Sequence, residues 1–341
     1  MIDDNGETAP EWGATRRWVE GLLAPGERIG TVRTLRGGWT SVMRRLDVES
    51  EVGEGRSLVL RSFVKPFYLR HAEGLLNREA EILRLLAPGP VPAARVYAVD
   101  ATAEHCDHPS LVMSLLPGTV RLAEDGAGEG GSVEGGSARG GEVEHRIGLL
   151  ARQLATVHAV TPPQDQRPRA WQAWTAPERV AVPGHTARPE LWARAIAAID
   201  REAPAHRPCF LHRDFHPGNV LFTGSGADTR ISGVVDWVET SWGPADLDVA
   251  HCSTALALLH GVEAGMSLAD RYREAGGLLS PEPGDHLYWR LLDALAFAPD
   301  AEKVAVPWRE LGREDLTPAV LTGRLEDYLQ ALFDRFDRFG R

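Results

Sequence analysis

Three polar residues in the second half of the chain, Asp214, Asn219 and Asp236, have the types and spacing that phosphoryl transfer uses. The first two lie in the unbroken run Leu211-His212-Arg213-Asp214-Phe215-His216-Pro217-Gly218-Asn219-Val220-Leu221, an H-R-D-x-x-x-x-N pattern. Asp236 follows the apolar run Gly233-Val234-Val235. Transfer of a phosphoryl group needs one carboxylate beside the attacking hydroxyl, and an amide with a second carboxylate on the Mg²⁺ ions. Asp214 suits the first task; Asn219 and Asp236 suit the second. Hard oxygen donors of this kind match Mg²⁺, which keeps several of its waters.

Such a loop needs a frame, and hydrophobic periodicity supplies one. Glu11 to Leu23 reads as a short helix with Trp12, Val19, Leu22 and Leu23 as apolar contacts. Arg28 to Leu35, Ser41 to Val48 and Ser57 to Val64 read as strands, the first two joined by Gly37-Gly38-Trp39-Thr40. Leu75 to Leu86 is helical in pattern and stops at Pro88-Gly89-Pro90; Val96 to Val99 and Ser110 to Leu115 complete five strands. Glu124 to Gly141 is rich in Gly, Glu and Ser, cannot bury apolar area and reads as a mobile loop. Helices are expected over Val143 to Val160, Trp192 to Ile199, Leu247 to Leu259, His286 to Ala298 and Pro318 to Phe339.

A five-stranded first lobe, a hinge and a helical second lobe carrying this loop together resemble the protein-kinase-like fold. In detail the sequence is similar to the aminoglycoside phosphotransferase and choline kinase family. His212, Asp214, His216 and Asn219 match its H-x-D-x-H-x-x-N loop, Asp236-Trp237 its second acid, and Gly243-Pro244 with Asp248 the segment beyond. The resemblance covers about Arg28 to Leu259. It implies an α+β, bilobal architecture: a five-stranded antiparallel sheet with one main helix, then a mostly helical lobe. Residues 1–116 would form the nucleotide-binding lobe with its hinge, 117–141 a Gly-rich flexible linker or insert, and 142–341 the lobe with catalytic loop and substrate pocket.

Carried over residue by residue, the resemblance implies that Asp214 accepts or orients the acceptor hydroxyl proton. Asn219 and Asp236 would hold Mg²⁺, while His212, His216 and Asp248 would keep the loop in shape. Gly37 and Gly38 would let the backbone approach the nucleotide phosphates, with Thr40 and Ser41 adding donors. Backbone groups of Met113, Ser114 and Leu115 would meet the purine of ATP or GTP. Where kinases commonly place a lysine paired with a helix glutamate, this strand carries Arg61, and Glu79 is the matching partner. Arginine also binds phosphate, so Arg61 is assigned the role, with Lys65 on the same strand face as its rival. Asp246 has the type of a helix N-cap. The i, i+4 pair His212 and His216 has zinc-ligand types, but no protease-type glutamate lies between them and Pro217 follows directly. His105-Cys106-Asp107-His108 also has ligand types and reads as a loop before a strand.

Composition narrows the remaining classes. Hydrophobic residues are 43% and charged residues 25% of 341, the balance of a soluble globular protein. The net charge of −11 and the lack of a basic stripe argue against nucleic acid. Three scattered cysteines suit a reduced, cytoplasmic setting, and the acidic Met1-Ile2-Asp3-Asp4-Asn5 has no leader-like apolar core. No apolar run reaches membrane-span length. The expectation is a Mg²⁺-dependent kinase that moves the γ-phosphoryl group of ATP or GTP to a hydroxyl of a small molecule. The acceptor would be antibiotic-like, as in antibiotic resistance, or an amino alcohol or sugar. A metabolite kinase of choline, homoserine or sugar type and a non-catalytic nucleotide-binding regulatory module stand as alternatives. Absence of an A-P-E segment and of an activation loop between Asp236 and Gly243 argues against a switched protein kinase. Nothing in the sequence sets the oligomeric state.

Overall fold

The computed structural model describes residues 12–35, 40–123 and 136–336. The chain divides into two compact units, one of residues 1–117 with 235–238, the other of 118–234 with 239–341.

The first unit is built on a five-stranded sheet. Its strands are β1 (Glu27–Leu35), β2 (Val42–Ser50), β3 (Arg56–Ser62), β4 (Val96–Asp100) and β5 (Ser110–Ser114), in the order β1-β2-β3-β5-β4. Every neighbouring pair is antiparallel. Helix α1 (Gly13–Glu20) precedes the sheet; the short α2 (Pro66–Leu69) and the main helix α3 (Ala72–Leu86) follow β3. Alternation along β2 puts Leu46 and Val48 on one face, where they pack with Ile29, Leu58, Leu60, Val112 and Val19 of α1. Helix α3 buries Leu76, Ala80, Leu83 and Leu86, and on the same helix Glu79. The lone buried acid on an apolar helix needs a partner, and the site supplies one.

Strand β3 stops at Ser62, so the expected continuation to Val64 does not form. Pro66 opens α2 instead, since its fixed φ suits a first helical turn and it cannot donate to a ladder. The His105-Cys106-Asp107-His108 loop is held by ordinary contacts: Asp100 accepts the amides of Glu104, His105 and Cys106, and Asp107 accepts the amide and hydroxyl of Thr15.

The second unit is mostly helical. It contains α4 (Gly136–His158), α5 (Pro189–Ile199), α6 (Ala245–His260), α7 (Val262–Glu274), α8 (Pro283–Leu295), α9 (Glu302–Glu310) and α10 (Pro318–Phe336). Its core runs from Trp192 and Ile199 on α5 through Leu258 on α6 and Leu291 on α8 to Trp308, Leu325 and Leu332. Helices α7 and α9 fall where the sequence pattern gave no helix; α9 opens at Glu302. Helix α4 starts at Gly136 rather than Val143, so the expected mobile segment splits: 124–135 lie outside the described residues and 136–141 are helical.

Two small antiparallel sheets bracket the H-R-D segment. Strand β6 (Pro208–Leu211) pairs with β9 (Ser241–Pro244), and β7 (Val220–Thr223) pairs with β8 (Arg230–Val234). Residues 212–219 therefore hang between two paired strands, with a 3₁₀ turn over Pro217–Asn219 at their end.

Candidate active site

In the second unit the loop is fixed from behind by one carboxylate. Asp248, fully buried in the first turn of α6, accepts the amide of His212 on Oδ2 and the amide of Arg213 on Oδ1, each at 2.8 Å. His158 at the end of α4 adds Nε2 at 3.1 Å from Oδ2, and its Nδ1 lies 2.7 Å from the Tyr272 hydroxyl. Burial would raise the Asp248 pKa, but the His158 hydrogen bond and the nearby positive groups hold it below its ordinary value. This scaffold keeps Arg213 at a φ of 72°, a left-handed conformation that a side-chain-bearing residue seldom adopts. The Arg213 side chain then donates to Gln172 O and lies over Trp174 at 4.2 Å.

The turn at Arg213 projects Asp214, whose side chain stays 33% exposed. His212 is fully buried and accepts the Asp214 amide on Nδ1 at 3.2 Å. His216 accepts the Gly218 amide on its own Nδ1 at 3.0 Å and so shapes the 3₁₀ turn. Asn219 donates through Nδ2 to the Asp214 carbonyl and to Asp214 Oδ2, both at 2.9 Å. With Nδ2 committed to Asp214, the side-chain carbonyl oxygen is the Asn219 atom left to act as an acceptor, a donor type that fits a hard cation such as Mg²⁺.

One partner of Asp214, and the carboxylate behind that partner, lie outside the sequence expectation. His251 on α6 places Nε2 3.2 Å from Asp214 Oδ1, and its Nδ1 lies 3.1 Å from Oδ1 of Asp293 on α8. An imidazole between two carboxylates satisfies both by donating from both nitrogens, an arrangement that favours the imidazolium form of His251. Burial opposes that charge, but Asp293 and Asp214 outweigh it and raise the pKa to about 9. Asp214 in turn is kept well below the usual carboxylate range: burial pushes it up, while the hydrogen bond and the charge of His251 pull it down more strongly. The sequence held a signal, since Asp248-x-x-His251 is an i, i+3 pair on one helix face and Asp293 interrupts the run Leu291-Leu292-Asp293-Ala294-Leu295.

Ligand atoms of Asp214, His216 and His251 lie within 4.8 Å of one another. Their contacts do not suit a metal: His216 uses Nδ1 to accept the Gly218 amide, and both nitrogens of His251 already face carboxylate oxygens. Asp246, expected as a helix N-cap, is not one. Pro244 holds that position, and both Asp246 oxygens accept the Ser280 amide at 3.2 Å.

In the first unit the chemistry centres on Arg61, whose side chain is 6% exposed. Nη1 lies 2.9 Å from each Glu79 oxygen and 3.1 Å from Asp236 Oδ1; Nη2 donates to Thr40 Oγ1 and Nε to Ser41 Oγ. Burial works against the guanidinium charge, but Asp236 and Glu79 more than offset it. Thr40 and Ser41, read from sequence as donors to phosphate, here accept from Arg61. Asp236 has a φ of 64°, a second left-handed position. Lys65 does not share the strand face with Arg61, because β3 has already ended; it is the residue preceding α2 and is exposed. The amides of Ser114 and Leu115 donate to Arg95 O and Ser57 O, and Met113 is paired within the sheet, so these amides are committed inside the unit. Gly37 and Gly38 lie outside the described residues.

Residues 31–292 match the model of the phosphotransferase enzyme family, and the chain belongs to that family. It is a phosphotransferase. The sequence has no match among the curated proteins. Among solved structures it is similar to a macrolide 2'-phosphotransferase type I, at 19% identity and a TM-score of 0.56, covering 97% of this chain and 99% of that one. A microcompartment-associated aminopropanol kinase gives 14% and 0.56, covering 94% and 98%. The GDP complex of wild-type aminoglycoside 2'-phosphotransferase-IIIa gives 16% and 0.55, covering 94% and 99%. These likenesses establish the protein-kinase-like α+β fold.

Proposed function

We propose that this protein is a Mg²⁺-dependent small-molecule kinase that transfers the γ-phosphoryl group of ATP or GTP to a hydroxyl of an antibiotic-like, amino-alcohol or sugar acceptor. The observation that carries the reading is Asp214, an ionised and partly exposed carboxylate held by Asn219 and His251 on a strained loop. Such a group can take the acceptor proton as the new O–P bond forms and the bond to the nucleoside diphosphate breaks. A carboxylate of low pKa suffices, because positioning matters more than basicity when the transition state is loose.

Asn219 Oδ1 and the Asp236 carboxylate are the oxygens assigned to Mg²⁺, which would neutralise charge on the phosphates when bound. Arg61 is assigned to the nucleotide phosphates, with Glu79 holding it. Among the described residues no helix is long and apolar enough to cross a membrane. Similarity to proteins that act on macrolides and on aminopropanol, and to one in complex with GDP, supports a nucleotide and a small hydroxylated acceptor as the two substrates. A cytoplasmic site and a part in antibiotic resistance accord with that reading. The test is Mg²⁺-dependent consumption of ATP and GTP against aminoglycosides, macrolides, choline, ethanolamine and hydroxylated amino acids. Acceptor-dependent turnover is expected, and it should vanish in Asp214→Asn; turnover that persists in the variant overturns the assignment.

A further inference from the structure

Asp214 is held by a group from outside its loop, and that group is held in turn. His251 Nε2 lies 3.2 Å from Asp214 Oδ1, its Nδ1 lies 3.1 Å from Asp293 Oδ1, and the Thr254 hydroxyl donates to Asp293 Oδ2 at 2.8 Å. His251 and Asp293 are each almost fully buried. Three aromatic groups enclose the imidazole: Trp174 edge-on at 5.0 Å, Phe297 at 5.4 Å and His216 at 5.7 Å between ring centroids. The charged or titratable groups facing it are Asp214 and His216 from the catalytic loop and Asp293 from α8, with Arg213 beyond the Trp174 ring.

A buried ionic relay of this kind costs desolvation free energy that an apolar trio would not, which argues for a task beyond packing. Each Asp214 oxygen receives one donor, Oδ2 from Asn219 and Oδ1 from His251. Two donors on opposite oxygens fix the carboxylate plane, as neither would alone.

We infer that His251 is a positioning residue for phosphoryl transfer, buttressed by Asp293, which sets the orientation of the Asp214 carboxylate toward the acceptor hydroxyl. The role rests on Asp214 being the group that meets that hydroxyl. His251 does not touch the reacting atoms; it acts through Asp214. The pKa of about 9 accords with an imidazolium that persists across the working pH range.

Two measurements on the full-length protein test this and separate it from the kinase reading. The first is the long-range ¹H–¹⁵N spectrum of protein labelled at histidine, with the His251 signals identified by their loss in His251→Gln. Both ring nitrogens should stay protonated up to about pH 9. In Asp293→Asn, an isosteric change that removes the rear charge, that titration should move at least about one pH unit lower. The second is initial-rate transfer from ATP and GTP to kanamycin, erythromycin, 1-amino-2-propanol and water. In folded protein, His251→Leu should lower kcat at least about tenfold with nucleotide KM within about twofold, since orientation is lost at the reacting end and His251 makes no contact assigned to the nucleotide. His251→Gln, which keeps an N–H donor toward Asp214, should recover most of that loss. Asp293→Asn should move the alkaline limb of the kcat profile downward in step with the spectrum. Active wild type with His251 neutral at pH 7.5, or with His251→Leu unchanged in kcat, overturns the positioning role alone. An intact imidazolium signature with no transfer to any acceptor, water included, overturns the kinase reading and the role with it.

Discussion

Asp248 Oδ1 accepts the backbone amide of Arg213 at 2.8 Å, at a residue whose φ of 72° places it in the left-handed region. For a non-glycine residue that conformation costs about 1–2 kcal/mol, so it persists only where other contacts over-determine it. The second Asp248 oxygen supplies one such contact through the His212 amide, and the Arg213 side chain adds Gln172 O and Trp174. The payoff is geometric: Asp214 leaves the loop toward solvent while its neighbours on both sides stay buried.

Asp248→Asn should therefore damage folding and turnover together. An amide has one acceptor oxygen where the carboxylate has two, so a buried backbone N–H loses its partner and His158 loses its anion. Removing one side of a buried charged network costs about 3–5 kcal/mol. Urea denaturation should show the midpoint falling with an unchanged slope.

Asp214→Asn should separate chemistry from binding. Loss of a group that takes a proton in the transition state lowers turnover by about 10²–10⁴-fold. Nucleotide binding in the presence of Mg²⁺, followed by calorimetry, is expected to stay within about twofold, because Asp214 is assigned no contact with nucleotide or metal.

Arg61 and Lys65 should respond very differently. Arg61→Ala leaves Glu79 buried without its cation, so a stability loss of about 3–5 kcal/mol accompanies a higher nucleotide KM or a lower kcat. Arg61→Lys retains charge but cannot span Glu79, Asp236, Thr40 and Ser41 at once, and intermediate behaviour is expected. Lys65→Ala should be near neutral in thermal unfolding and kinetics. Normal kinetics in the Arg61 variants, with loss in Lys65→Ala, would reverse the assignment.

Stability should fall on both sides of neutrality through histidines of opposite sign: His251 is raised, while His286 and His260 are both depressed by burial and neighbouring arginines. His251 has a raised pKa, about 9 folded against 6.5 unfolded, so its contribution is complete below pH 6.5 and disappears as pH rises through 9. His286 is depressed to about 4 by burial and by Arg273 and Arg290. Below pH 6.5 the unfolded chain binds a proton that the folded His286 refuses, so stability declines from there toward pH 4. His286→Gln should lessen the fall on the acid side of a pH series of unfolding midpoints, to which the depressed His260 still contributes, and leave the alkaline side unchanged.

Much of this molecule was legible in local sequence. The five strands and the helices around Leu76, Ile147, Leu258, Leu291 and Leu325 follow from side-chain periods of about 2 and 3.6, which each element expresses within its own few turns. Asp214 and Asn219 could be singled out in the sequence because they share one eight-residue loop with the spacing proposed for phosphoryl transfer, and Asp236 because it follows an apolar run. Helices α7 and α9 were missed because polar residues interrupt their apolar stripes. The partners of the key groups belonged to tertiary structure alone. His251 reaches Asp214 across 37 positions, Asp293 reaches His251 across 42, and Arg61 finds Asp236 across 175. Contacts at such separations leave no periodic trace. They are set by how α6 and α8 pack in one unit, and in the other by where Asp236 comes to lie beside β3 and α3. Sequence determined which residues could carry phosphoryl transfer; packing decided which buried charges hold them ionised and aimed, because a buried ion exists only where the fold brings it a partner.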